Sequence, residues 1–328
     1  MRIYMIGAGA MGGVFGGLLR RAGADVTLID PRREHIEKIR SEGLHLEGVR
    51  GTHQIRLPVH ESGANLPPCD LAVVFTDANS TREAARAARS LLATDGFALT
   101  LQNGIGNVEA LTERLGETRV LAGVSMDSAN YRGAGHASYT NQGPIHLGEL
   151  DGKTTMRAQA VVEALNKAGF KATLTDRARD YVWEKFTLNC AINPLAALTG
   201  LRGGEFIRIP EIDALQDRVL EEVFAVGKAK GIRYPNPDLR AYIKEHCHKR
   251  FNQPSMLQHV TQGRRTEIDA LNGALVREAK TYGIPTPYNE TIVALIKGLQ
   301  KHREQVMHQA PIDYAKLEAE VAAAVVKR

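Results

Sequence analysis

The feature that most constrains this chain is a short apolar run, Arg2 to Ile6, ending in Gly7-Ala8-Gly9-Ala10-Met11-Gly12 and continuing as a helical pattern through Arg21. A buried strand followed at once by that spacing predicts a phosphate-binding turn. Gly7 permits the tight reversal, Gly9 lets backbone approach a pyrophosphate, and Gly12 allows the helix to lie against the strand. The unpaired N–H groups and positive dipole end of the helix then face an anion. Glycine spacing alone says little in a chain with 31 glycines, but here Asp25 to Asp30 reads as a second strand closing 23 residues after Gly7. A carboxylate at Asp30 can accept hydrogen bonds from ribose hydroxyls and would repel a 2′-phosphate, so NAD is the expected cofactor, with NADP second. Arg32 and Arg33 read either as partners of a phosphate or adenine, or as solvated charges opening a helix from Glu34 to Ser41.

The alternation continues. Leu71 to Thr76, Phe97 to Leu101 and Val120 to Val124 are buried-strand candidates, separated by helical patterns at Ser80 to Leu92 and Val108 to Leu115. Such a pattern predicts a parallel sheet covered on both faces. Ser138 to Leu150 reads as an antiparallel extension, followed by a helix from Thr154 to Ala168 and a strand from Lys171 to Thr175. From Ala178 onward only helical patterns occur. The expected fold is therefore α/β, a Rossmann-type domain over residues 1–176 followed by an all-helical domain over 177–328, as 328 residues exceed one usual core.

Composition narrows the functional classes. A net charge of +5, spread without basic runs, suits small anionic molecules rather than nucleic acid, and Arg82 to Arg89 reads as the outer face of a helix. No segment has the roughly 20 apolar residues of a membrane span, and the glycines and single early charge of Met1 to Leu19 do not suit a signal peptide. Cys69, Cys190 and Cys247 form neither a disulfide framework nor a zinc pattern. His246-Cys247-His248 cannot all face one ion from a helix, so no metal is expected. A soluble, cytoplasmic protein is the expectation. Leu317 to Lys327 reads as a terminal helix.

The helix opening the second region, Tyr181 to Leu195, is apolar nearly all round, yet Lys185, Asn189 and Asn193 recur at i, i+4 and i+8. A lysine on a mostly buried helix needs partners or a lowered pKa. A stripe of one lysine and two amides is what carbonyl reduction requires: an acid for the oxygen that turns negative, and donors to hold the substrate.

Gly7 to Gly12, Leu101-Gln102-Asn103-Gly104-Ile105-Gly106-Asn107, the helix from Lys185 to Leu201, and Ser255-Met256-Leu257-Gln258 through Arg265-Thr266-Glu267-Ile268-Asp269 together resemble the ketopantoate reductase (2-dehydropantoate 2-reductase) family, over roughly residues 1–300. The resemblance implies reduction of a small 2-keto acid by a homodimer. Lys185 would be the general acid, and Glu267 would hydrogen-bond the substrate hydroxyl and help set the lysine's charge. Asn103 would position nicotinamide and lysine, Asn189 and Asn193 would bind substrate oxygens, and Ser255 would hold the carboxylate. On one straight helix, Ser255 and Glu267 would lie about 18 Å apart. The chain must therefore break between them, with Gly263 the expected break and Thr266-Glu267 opening the next helix.

Two departures from the family pattern bear on specificity. Asp30 and Asp77 stand where NADPH-preferring members carry an arginine and a lysine, which reinforces NAD. Gly203-Gly204-Glu205 replaces an Asn-Gly-Glu sequence, removing a side-chain amide that would contact pantoate. Two alternatives accompany ketopantoate reduction: an NADH-dependent reductase or dehydrogenase of another 2-keto or 2-hydroxy acid, and a non-catalytic dinucleotide-binding protein.

Overall fold

A computed structural model describes residues 1–308 and 313–325. The chain divides into two compact units, Met1–Asn189 with Val223–Leu239, and Cys190–Glu222 with the chain from Arg240 onward.

The first unit contains, in order, β1 (Arg2–Ile6), α1 (Ala10–Arg21), β2 (Asp25–Ile29), α2 (Arg33–Glu42), β3 (Leu44–Gly48), β4 (His53–Ile55), β5 (Val59–His60), β6 (Cys69–Val74), α3 (Thr81–Leu91), β7 (Leu92–Thr100), α4 (Asn107–Leu115), β8 (Val120–Ser125), β9 (Ser128–Gly133), β10 (His136–Asn141), β11 (Pro144–Glu149), α5 (Met156–Lys167) and β12 (Lys171–Leu174). Eight strands form one sheet in the order β12-β11-β8-β7-β6-β1-β2-β5. From β5 to β8 its strands are parallel and follow the doubly wound 3-2-1-4-5-6 order. That order places a topological switch point beside β1, where ligands of open α/β sheets bind. Alternate side chains of β1 enter opposite cores: Ile3 and Met5 join Val14 and Phe15 of α1, whereas Tyr4 and Ile6 join Ala84, Ala85 and Ala88 of α3.

The region Ser138 to Leu150 is not one extension. β11 does join the main sheet, antiparallel to β8, but β10 belongs to a second, four-stranded sheet in the order β4-β3-β10-β9. Its central pairing joins β3 to β10, which lie far apart in sequence with strands and helices of the main sheet between them, and sets His136 opposite His45. Helix α1 packs on both sheets, which explains its glycines. A Cβ on Gly16 would stand 2.5 Å from Leu28 of the main sheet, and one on Gly17 2.7 Å from Leu46 of the second.

Helix α6 (Ala178–Thr199) begins in the first unit and ends in the second. The rest is helical: α7 (Gly203–Phe206), α8 (Pro210–Ala229), α9 (Leu239–His248), α10 (Ser255–Thr261), α11 (Asn272–Thr281), α12 (Pro287–His308) and α13 (Tyr314–Val325). The terminal helix expected at Leu317 to Lys327 is α13; residues 326 and 327 lie outside the described residues.

Pro194 sits inside α6 and lacks the N–H that would serve the carbonyl of Cys190 one turn back. In the second unit the buried Asn272 makes good this loss, donating from Nδ2 to Cys190 O at 3.1 Å and to Asn289 Oδ1 at 2.8 Å. Asn289 in turn donates from its backbone and side chain to the buried Glu222 carboxylate, at 2.9 and 2.6 Å.

Candidate active site

The glycine turn is pinned from below. Gly7, at φ +94°, donates to Ile29 O at 2.8 Å, and a Cβ there would meet the backbone of Thr76 at 2.6 Å. A Cβ on Gly12 would stand 1.8 Å from the carbonyl of Gly7, so only glycine lets α1 start so close to β1. Around Gly9 the opposite holds: the nearest atom to a Cβ would be an Arg32 nitrogen at 3.7 Å. No side chain caps α1 and no acid lies in its first turn. The amides of Ala10, Met11 and Gly12 thus form an uncapped helix end beside accessible backbone, which fits the diphosphate of a dinucleotide.

Asp30 is only 3% exposed and already committed. It accepts from Ala8 N–H at 2.9 Å and, in a two-pronged pair, from Arg32 Nε and a terminal guanidinium nitrogen, both at 2.7 Å. Burial works to raise its pKa, but the hydrogen bonds and charge of Arg32 outweigh it and hold the carboxyl below its ordinary value. Arg32 also lies over the Tyr131 ring, 4.7 Å from the centroid, whereas Arg33 pairs with Glu37 at 2.7 Å. His35, unremarked in the sequence, is buried under the turn. Its Nδ1 accepts from Gly135 N–H at 2.9 Å, leaving Nε2–H to donate to Ala8 O at 2.8 Å. Burial and the neighbouring Arg32 charge depress its pKa and keep it neutral.

Across the switch point, the loop after β7 is held by a buried polar network. Gln102 Nε2 donates to Thr76 O at 2.8 Å and to the Thr81 hydroxyl at 3.0 Å; that hydroxyl donates to Asn107 Oδ1 at 2.8 Å, and Asn107 Nδ2 holds the Asn103 carbonyl at 2.9 Å. The network grips the backbone of Asn103 and does not consume its side-chain amide. Asp77, in the loop after β6, accepts from Asn79 N–H at 2.9 Å.

Lys185 projects from α6 to the end of β8, where Nζ donates to Ser125 O at 2.5 Å. Ser125 Oγ donates to Asp127 Oδ2 at 2.6 Å, Gly143 N–H donates to Oδ1 at 3.0 Å, and Tyr139 O–H donates to the same oxygen. Burial first, and then the Asp127 carboxylate, push the Tyr139 pKa up and keep it a phenol. Asp127 was not singled out from sequence; its one signal was an acid two residues past a buried strand, at the carboxyl edge where open sheets bind ligands. Asn189, one turn beyond Lys185, is 7% exposed and its Nδ2 is buried without a hydrogen-bond partner. A buried donor left open in this way fits an incoming oxygen.

Lys185 and Asn189 thus lie in the first unit with Asn103 and the glycine turn, while Asn193, Ser255 and Glu267 belong to the second. Asn193 is buried on α6. Ser255 is the first residue of α10, and the break is where the sequence placed it, with α10 ending at Thr261 and Gly263 at φ +64°. Thr266-Glu267 do not open the next helix, which begins at Asn272. Glu267 instead starts a turn whose carbonyl accepts from Ala270 and Leu271 N–H, because Thr266 is tied by backbone and hydroxyl to Gln300 Oε1 at 2.8 and 3.0 Å. Gly203 is buried, and a Cβ on it would make only ordinary contacts at 3.5 Å, so packing does not force the missing side chain. A cavity of about 540 Å³ is lined by Gln102, Ile105, Asn107, Ala122, Arg157 and Trp183 among others, and by neither the fingerprint nor Lys185.

Residues 3–152 match the family Ketopantoate reductase PanE/ApbA, and residues 177–300 match Ketopantoate reductase PanE/ApbA C terminal. A 2-dehydropantoate 2-reductase of Pyrococcus horikoshii is 32% identical over 297 residues, 90% of this chain and 97% of that protein. A PanE/ApbA family ketopantoate reductase from Ralstonia eutropha superposes with a TM-score of 0.86 at 31% identity, covering 93% of this chain and all of that one. D-mandelate dehydrogenase with NADH and anilino(oxo)acetate superposes with a TM-score of 0.87 at 26% identity, covering 92% and 99%. Among the described residues, no helix is long and apolar enough to cross a membrane. The reading as a non-catalytic dinucleotide-binding protein is set aside, since the chain belongs to the ketopantoate reductase family of oxidoreductases.

Proposed function

We propose that this chain reduces the ketone of a small 2-keto acid, with Lys185 as the general acid. The observation that carries the reading is the position of Lys185. Its ammonium is anchored at the carboxyl end of β8 by Ser125 O, in the same unit as the open turn at Gly9 and the braced Asn103. A reduced nicotinamide dinucleotide, held by the amides of Ala10 to Gly12 and positioned by Asn103, supplies hydride to the carbonyl carbon when bound. The Lys185 ammonium gives its proton to the ketone oxygen as that oxygen becomes an alkoxide, and the neutral amine is reprotonated from solvent. Asn189 offers its unpartnered amide N–H to a substrate oxygen. Roles for Asn193, in substrate binding, for Ser255, at the carboxylate, and for Glu267, at the hydroxyl and in setting the lysine's charge, follow from the family resemblance, as does assembly as a homodimer; division into domains at 176/177 is supported by the purely helical pattern from Ala178 onward. A cytoplasmic setting agrees with three buried, unpaired cysteines.

NAD is the proposed cofactor. Arg32 is committed to Asp30 and Arg33 to Glu37, and Asp77 adds a carboxylate, so a 2′-phosphate would find no uncommitted cation among them. A second reading, reduction of a 2-keto acid other than ketopantoate, is favoured by Gly203 and by the likeness to a mandelate dehydrogenase.

The test is an NADH-oxidation assay with ketopantoate beside branched, aromatic and hydroxylated 2-keto acids, repeated with NADPH. Lys185→Ala should lower kcat by roughly 10²- to 10⁴-fold. Unchanged turnover in that variant defeats the mechanism, and a clear NADPH preference defeats the cofactor assignment.

A further inference from the structure

The outer face of the four-stranded sheet gathers three ligand-type side chains at one point, away from the glycine turn. His136 stands opposite His45 on parallel neighbours, and Glu47, two residues along β3, shares the face of His45. The inner face of the same strand is occupied by Leu44 and Leu46 against the glycines of α1. One ligand atom from each of His45, Glu47 and His136 lies within 4.8 Å of the others. The imidazoles meet edge to face, with centroids 4.4 Å apart.

Two independent observations point to an ion. His136 Nε2 is buried and lies 3.4 Å from Glu47 Oε1 without the alignment of a hydrogen bond, so this nitrogen is unpartnered while facing the cluster. On the other side, His45 Nδ1 lies 3.0 Å from Oε1 of Gln54, the residue directly opposite on β4. The orientation of that amide is settled by Nε2, which donates to the carbonyls of Glu42 and Gly43 at 2.8 and 3.0 Å. Oε1 can only accept, so Nδ1 of His45 carries the proton and its Nε2 presents a lone pair. A histidine whose second nitrogen donates to an oxygen is the usual arrangement of a metal ligand.

We propose that His45, Glu47 and His136 bind one divalent transition-metal ion of the zinc class, through two imidazole nitrogens and a carboxylate oxygen, with water completing a tetrahedron. Bonds of about 2.0–2.1 Å set ligand atoms roughly 3.3 Å apart, so the cluster closes by side-chain rotation on strands already paired. Arg132, whose Nε lies 3.8 Å from Glu47 Oε1, is the cation the ion would replace. None of the three ligands belongs to the proposed catalytic set; the ion would clip β3 to β10.

The test uses untagged, chelator-dialysed full-length protein titrated with Zn²⁺ by calorimetry and with Co²⁺ by visible absorption. One site per chain is expected, micromolar or tighter, with the intense visible bands of tetrahedral Co²⁺. His45→Asn with His136→Asn should abolish it, and Gln54→Leu should weaken it roughly ten- to hundredfold. Should the double variant fail to fold by circular dichroism, Glu47→Gln and Gln54→Leu serve in its place. The proposal is overturned by affinity no better than millimolar, or by undiminished binding in these variants, which would place the ion on other histidines.

Discussion

Asp127→Asn isolates the charge beneath Lys185. Two hydrogen bonds, of 2.5 and 2.6 Å, join the ammonium to this carboxylate through Ser125. Adding the span of one serine, roughly 4 Å, puts the charges at most about 9 Å apart. At an effective dielectric near 20 their attraction is then at least about 1.8 kcal/mol. The charge favours protonated Lys185, the form a general acid needs. Removing it should move the alkaline limb of kcat for ketone reduction to lower pH. The amide also presents one acceptor where Ser125 and Tyr139 converged on two oxygens, so one buried hydroxyl loses its partner, costing about 1–3 kcal/mol of stability. The assay is a pH profile of single-turnover keto-acid reduction beside thermal unfolding. An alkaline limb that stays in place while Tm falls would refute the electrostatic link and leave Asp127 a purely structural residue.

Two other perturbations test the scaffold. Asn272→Leu should cost about 1–3 kcal/mol in denaturant unfolding by stripping the donor from Cys190 O; in a Pro194→Ala background, where the helix supplies its own N–H, the loss should shrink by about 1 kcal/mol, and strict additivity would argue against the compensation. Because the Asp30 pKa is lowered in the folded protein, the stabilisation by Arg32 should be fully present above the unfolded carboxylate value near 3.9 and vanish as pH falls through the lowered folded value. Arg32→Gln should therefore destabilise the fold at neutral pH by on the order of 1 kcal/mol given a side chain 45% exposed, seen as a lower Tm, and have no effect in strong acid; a constant deficit at all pH values would show that the ion pair is not its source.

Much of the candidate site was legible because its signals are local. The turn at Gly7 to Gly12, the break at Gly263 and the i, i+4, i+8 stripe on α6 depend on backbone freedom and helical period, which neighbours in sequence set. The second sheet was not legible. β3 is short and alternates weakly, and its partner β10 lies some ninety residues on, a pairing no local pattern encodes. The same limit hid Asp127, His35 and Asn272, whose meaning lies in distant partners: Ser125, Tyr139 and Gly143 for the first, Ala8 and Gly135 for the second, Cys190 and Asn289 for the third.

Asp30 marks the division between the two kinds of information. Its place at the end of a strand, beyond a glycine turn, followed from sequence alone, because spacing along a strand and turn is a matter of local geometry. That its carboxylate is bound to Ala8 and Arg32, so that it braces the turn and neutralises an arginine beside it, was decided by tertiary structure. Burial removes water as the alternative partner, and a carboxylate in that setting must take the donors that the fold brings within reach.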